Sequence, residues 1–152
     1  MATSEILEQQ RQAWNRFAPG WKKWDEFTMR MLRPVGEALI EMAHLREGHR
    51  VLDVATGTGE PGLTVAGRVG QGRVIGIDLS QEMVQIAGAN ARERGIKNYE
   101  ARTSDATELP FENGSFDAAI CRMGVMFFPD PELALKELSR VLKPGGMIAL
   151  SS

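Results

Sequence analysis

Three acids and three glycines fall at spacings that can hold a small ligand. Asp53 ends a short apolar run, Val51, Leu52 and Val54, and the chain continues Gly57-Thr58-Gly59-Glu60-Pro61-Gly62. A β-branched run broken by glycines and followed by Pro61 predicts a strand, a tight turn and a helix whose first turn tolerates the proline. Backbone N–H groups and the positive end of a helix would then face one ligand. Asp78 closes the next apolar run, where a carboxylate can accept both hydroxyls of a ribose, and Asp105 follows the run after that. The glycine spacing satisfies a dinucleotide fingerprint, so a nicotinamide-dependent oxidoreductase is one reading. The charge favours another. Asp53 and Glu60 would repel a pyrophosphate, but they would attract a ligand carrying a sulfonium and an ammonium.

Alternating strands and helices must position these acids. Arg73–Asp78 reads as a second buried strand, and Ser80 as the N-cap of a helix over 81–94 with Met83, Val84, Ala87 and Ala91 on one face. The stretch 98–103 is the least apolar strand and suits a sheet edge. Residues 118–121 complete a fourth strand. Asp130 and Pro131 start the last helix, Lys143-Pro144-Gly145-Gly146 ends it, and 147–151 form a fifth strand. This alternation predicts a doubly wound, mostly parallel α/β sheet in the order 3-2-1-4-5.

Ahead of the first strand, residues 4–17 have helical periodicity and Ala18-Pro19-Gly20 predicts their end. Pro34 should open another helix, with Val35, Leu39 and Met42 on one face and Gly48 as the stop. The large apolar groups between them, Trp21, Trp24, Phe27, Met29 and Met31, read as core or as a lid on the sheet.

The 152 residues, 43% hydrophobic and 25% charged, suffice for one domain with a real core. A net charge of −2 with mixed signs gives no reason to expect a nucleic acid or a membrane surface as partner. A single cysteine, Cys121, fits a reducing cytoplasm, and no leader or membrane-spanning run is visible. His44 and His49 precede the first strand, at the wrong end of the sheet for the ligand, and no His–Cys cluster suggests a metal.

The glycine turn, the stretch Ser104-Asp105-Ala-Thr-Glu-Leu-Pro-Phe through Ser115-Phe116-Asp117, and Arg140-Val-Leu-Lys-Pro-Gly-Gly together resemble the class I S-adenosylmethionine-dependent methyltransferases. The resemblance implies a Rossmann-like core over 49–152, incomplete at its C-terminus because the family's last strands are missing, and an N-terminal helical cap over 1–48. It implies S-adenosylmethionine as cofactor, held by Asp53, Ala55, Thr56, Gly57 and Gly59 at the turn. Asp78 would take the ribose with Leu79 beside it, Asp105 and Ala106 the adenine edge, and the Cys121 backbone the methionine end; Met83 packs either on the adenine or in the core, and Arg122 either pairs with the ligand's carboxylate or is solvated. Trp21 is a further candidate contact. The Asp53-Val-Ala-Thr-Gly-Thr-Gly form is similar to small-molecule and quinone-type members and implies a small-molecule methyl acceptor. A cofactor-binding fragment without turnover is the alternative. The fifth strand would be an open apolar edge, through which a homodimer could form. No catalytic residue is assigned.

Overall fold

The computed structural model describes residues 3–152, in which five parallel strands carry five helices. The strands are β1 (Arg50–Val54), β2 (Arg73–Asp78), β3 (Tyr99–Thr103), β4 (Phe116–Arg122) and β5 (Leu142–Ser151), in the order β3-β2-β1-β4-β5. The expected doubly wound sheet is thus present. Register is direct: Asp53 lies opposite Gly76 on β2 and opposite Ile120 on β4. β3 forms one edge and β5 the other.

Alternation along each strand divides the core in two. Val51 and Val74 face the layer of α2 (Asp25–Met42), α3 (Gly62–Val69) and α4 (Gln81–Glu93), against Leu39, Val65, Val69 and Ala87. Leu52, Val54, Ile75 and Ile77 face α5 (Pro131–Val141) through Ala134, Leu138 and Val141. Asp53 has the parity of Val51, which directs a carboxylate into the first of these apolar layers and leaves it fully buried.

Several local expectations fail, each for a tertiary reason. The first helix does not stop at Pro19: α1 runs Thr3–Lys23 through both Pro19 and Gly20. Likewise Pro34 lies inside α2 rather than at its start. A proline inside a helix deprives the carbonyl four residues earlier of its donor. Pro19 and Pro34 are both exposed, so water can serve the carbonyls of Asn15 and Arg30. The opposite faces hold the helices in place: Trp14, Ala18 and Trp21 recur along α1, and Met29, Leu32, Gly36 and Ile40 along α2, with Ala18, Gly36 and Ile40 buried. Gly48 is not the stop of α2, which ends at Met42 with Ala43 as its cap and His44 in a left-handed conformation. Pro61 caps α3 rather than entering its first turn. β5 begins earlier than expected, at Leu142 opposite Phe116, and the Pro144-Gly145-Gly146 stretch is an irregularity inside the strand. The reading of the cap aromatics as core also fails in part. Trp21 and Met29 turn inward, whereas Trp24, Phe27 and Met31 are exposed.

Candidate functional site

Beneath the glycine turn lies a buried polar network that the sequence did not announce. Asp53 Oδ2 accepts from the Thr56 hydroxyl at 2.6 Å and from the Gly62 N–H at 3.0 Å. The Thr56 hydroxyl also meets the Tyr99 hydroxyl at 2.8 Å. Only glycines leave room for this. A Cβ at Gly62 would stand 2.5 Å from Asp53 Oδ2, and one at Gly76 would stand 2.3 Å from the Tyr99 oxygen. Asp53 Oδ1 has no hydrogen-bond partner among the described residues. Burial raises the Asp53 carboxyl to about 7, against smaller opposing effects of the Thr56 hydrogen bond and the Arg122 charge. Burial also pushes the Tyr99 phenol above its ordinary range, and the Asp53 charge adds to this.

The turn above this network spends its own donors. Gly57 N–H donates to Asp78 Oδ2 at 2.9 Å, Gly59 N–H to the Thr56 carbonyl at 2.9 Å, and Gly62 N–H to Asp53. The three glycine N–H groups therefore do not face a ligand, contrary to the simple strand-turn-helix expectation. Acids do instead. Asp78 also accepts from Ser80 N–H at 2.9 Å, and burial raises its pKa above the usual carboxylate range despite these bonds. The Leu79 backbone N–H also stabilises the Asp78 carboxylate, which with about four acceptor sites still has capacity for a ligand hydroxyl. Asp105 accepts from Thr107 N–H at 2.9 Å, and Glu60 caps Thr64 while pairing with Arg94 at 2.6 Å. The loop that carries Asp105 is stapled from α5. Arg140 donates to the carbonyls of Leu109 and Phe111, and Glu137 accepts from Leu109 N–H.

These groups wall a cavity of about 330 Å³ across the C-terminal strand ends. A ligand in an open α/β sheet sits at such a switch in strand order. Among the candidate residues, Ala55, Thr56, Gly57, Asp78, Leu79, Met83, Asp105, Ala106 and Arg122 line it, as does Trp21. Asp53, Gly59 and Cys121 lie behind the wall. Asp53 and Gly59 support the turn from below, and Cys121 is fully buried, with burial raising its thiol to about 12. Ala55 holds a left-handed backbone at φ 54°, a conformation that costs an alanine about 1 kcal/mol.

The polarity of the cavity is uneven. Glu60, Asp78 and Asp105 are its carboxylates, and Arg122 is its one guanidinium among the described residues. Arg122 is half-buried and reaches the thioether of Met29 at 3.1 Å. Burial lowers its pKa, and the charges of Asp53, Glu60 and Asp25 oppose that shift. The roof is apolar: α1 contributes Leu7, Trp14 and Trp21, and the segment after β4 contributes Met126, Phe127 and Phe128. Trp14 meets Phe127 edge to face at 5.1 Å between centroids.

Cap and turn are bonded to each other. Asp25 on α2 accepts from the Thr58 hydroxyl at 2.6 Å, and Asn90 donates to both Asp25 and the Thr58 carbonyl. Asn15 on α1 accepts from the Ser80 hydroxyl at 2.7 Å, two residues beyond Asp78. Asn15, Asp25 and Asn90 carry no sequence motif that marks them as site residues, and Trp14 shows only as part of an apolar helical stripe; the first two lie in α1 and α2, which run further than expected, and Asn90 lies within the expected bounds of α4.

A family profile described as a methyltransferase domain matches residues 51–146, more than half of the chain. Demethylmenaquinone methyltransferase of Lactococcus lactis is 43% identical over 102 residues, which cover 66% of this chain and 40% of that protein. The crystal structure of a S-adenosylmethionine-dependent methyltransferase from Aquifex aeolicus superposes with a TM-score of 0.67 at 33% identity, covering 72% of this chain and 58% of that one. A cyclase of the 4+2 type superposes with a TM-score of 0.73 at 37% identity, over 77% of this chain and 43% of the cyclase. The chain spans half or less of the length of the curated relatives it matches.

Proposed function

As the chain belongs to the class I S-adenosylmethionine-dependent methyltransferase family, we propose that its cavity binds S-adenosylmethionine and directs the methyl group to a small apolar acceptor. The carrying observation is the spent glycine turn. With Gly57, Gly59 and Gly62 N–H groups already donated to Asp78, Thr56 and Asp53, the wall offers carboxylates where a dinucleotide pyrophosphate would need donors. A cationic nucleoside fits that wall and a nicotinamide dinucleotide does not.

Asp78 would accept the ribose hydroxyls on its remaining lone pairs, and Asp105 with the Ala106 backbone would take the adenine edge. Met83, buried in the first turn of α4, would pack on the ring. Arg122 would pair with the ligand's carboxylate, and Glu60 lies near enough to favour its ammonium. When bound, the cofactor supplies an electrophilic methyl on sulfur. The protein's own part is to hold an acceptor in line with that methyl under Trp14, Trp21 and Phe127 and to keep water out, which requires no fixed catalytic triad. Cys121, with its thiol held protonated, is no nucleophile here. The apolar roof and the likeness to a demethylmenaquinone methyltransferase support an apolar small molecule, of quinone or phenol type, as acceptor.

Calorimetry with S-adenosylmethionine, S-adenosylhomocysteine and NADH tests the reading. The first two should bind and NADH should not, and Asp78→Ala should weaken binding by about 1.5 to 3 kcal/mol, the scale of hydrogen bonds to a charged group. Preferential NADH binding would overturn it. Transfer of methyl to a panel of quinones, phenols and amines then separates an active enzyme from a module that only holds the cofactor.

A further inference from the structure

The corner between α1 and α2 exposes what the cap does not use. Phe17 is 51% exposed, Trp24 59%, Phe27 57% and Met31 66%, and the first three with Trp21 wall a shallow groove across Gly20 and Thr28. Single exposed apolar side chains need no explanation, but a contiguous aromatic patch marks a surface that something covers. Two cations lie over it, Arg16 and Lys23, both exposed. Arg16 lies 5.6 Å from the Phe17 ring and Lys23 5.5 Å from the Trp24 ring. The carboxylates between Arg16 and Arg33 are Asp25, which is turned inward onto Thr58, and Glu26, which pairs with Arg30. Arg16 and Lys23 have no carboxylate partner among the described residues. An aromatic corner with two unpaired cations over its rings therefore stands out from a chain whose total charge is −2.

We propose that this corner docks the protein on an anionic lipid bilayer surface, with Trp24 and Phe27 entering the headgroup region and Arg16 and Lys23 paired with lipid phosphates. Aromatic rings with long cationic side chains around them suit the boundary between headgroups and acyl chains, where an apolar body and a charged tip are both satisfied. The contact would be superficial, since no described helix is long and apolar enough to cross a membrane. Trp21 walls both this groove and the ligand cavity, so the docked face would open toward the site. If the methyltransferase reading holds, an acceptor dissolved in the lipid could reach the roof of the cavity without crossing water.

Co-sedimentation of the full chain with vesicles tests this, and it reads lipid binding without any need for cofactor or turnover. Vesicles of phosphatidylcholine with phosphatidylglycerol should bind the protein and blue-shift its tryptophan emission; phosphatidylcholine alone should bind it weakly, and salt should reduce binding. Trp24→Ser with Phe27→Ser should abolish partition. Lys23→Gln should weaken it about fivefold. All three positions are exposed, and circular dichroism with thermal melting checks that each variant folds. Failure to bind anionic vesicles would overturn the proposal, and so would equal partition of the Trp24→Ser, Phe27→Ser variant. Self-association abolished by those substitutions, or retention on a single-stranded oligonucleotide in place of vesicles, would assign the corner to a second copy or to nucleic acid instead.

Discussion

At the scale of single residues, Asp53 is the most consequential side chain and it touches no part of the cavity. Its carboxyl holds a proton to about pH 7 in the folded protein against 3.8 as an ordinary aspartate. Between those values the folded state binds more protons than the unfolded one, so stability must fall as pH rises through this window. The loss is complete above about pH 7 and amounts to a few kcal/mol. Asp78, raised in the same direction, adds a slope of the same sign. Denaturant titrations at pH 5 and pH 8 should show wild type weaker at pH 8. Asp53→Asn, which keeps an acceptor for Thr56 and Gly62, should lose most of that difference. An unchanged difference would move the titrating group elsewhere. The same network explains why Gly62 cannot be exchanged: its Cβ would collide with Asp53 and with the Tyr99 ring.

At the scale of elements, the cap is a packed part of the site and not a loose cover. α1 places Trp14 and Trp21 in the roof and Asn15 on the N-terminus of α4, while α2 places Asp25 on the glycine turn. Each of these side-chain hydrogen bonds is worth about 1 kcal/mol, so loosening both should be visible before the core is affected. Asn15→Ala with Asp25→Ala should speed amide exchange along α1 about tenfold or more while leaving β1 and β4 unchanged, and should raise the dissociation rate of the adenosyl ligand. Equal protection of α1 in the variant would show that packing of Ala18 and Trp14 alone holds the cap.

Across the whole molecule, the two sheet edges differ. β3 carries Glu100, Arg102 and Thr103 on its edge, with Arg73 and Arg102 both paired to Glu100, and is defended by charge. β5 is long, carries Met147, Ile148 and Leu150, and has β4 as its only strand neighbour among the described residues. We propose that an edge of that kind pairs with a further strand. Sedimentation at rising protein concentration should therefore show association, and Met147→Lys at a partly exposed position should suppress it. A monomer at every concentration would show that the irregular Pro144-Gly145-Gly146 stretch is enough to protect this edge.

The glycine turn, the acids at strand ends and the caps at Ser80 and Asp130 were legible because each rests on short-range chemistry: apolar β-branched runs, the backbone freedom of glycine, and a capping side chain beside the helix it starts. The strand order followed from the alternation of strands and helices with right-handed crossovers. Long-range packing set the remainder. It carried α1 through Pro19 and α2 through Pro34, because a buried stripe on one face outweighs a lost hydrogen bond on the exposed face. It turned Asp53 under the turn rather than into the cavity, a matter of strand parity and of the space left by Gly62 and Gly76. It also set Arg16 and Lys23 over exposed rings, which no net charge could reveal, since a sum over the chain carries no information about where the charges lie.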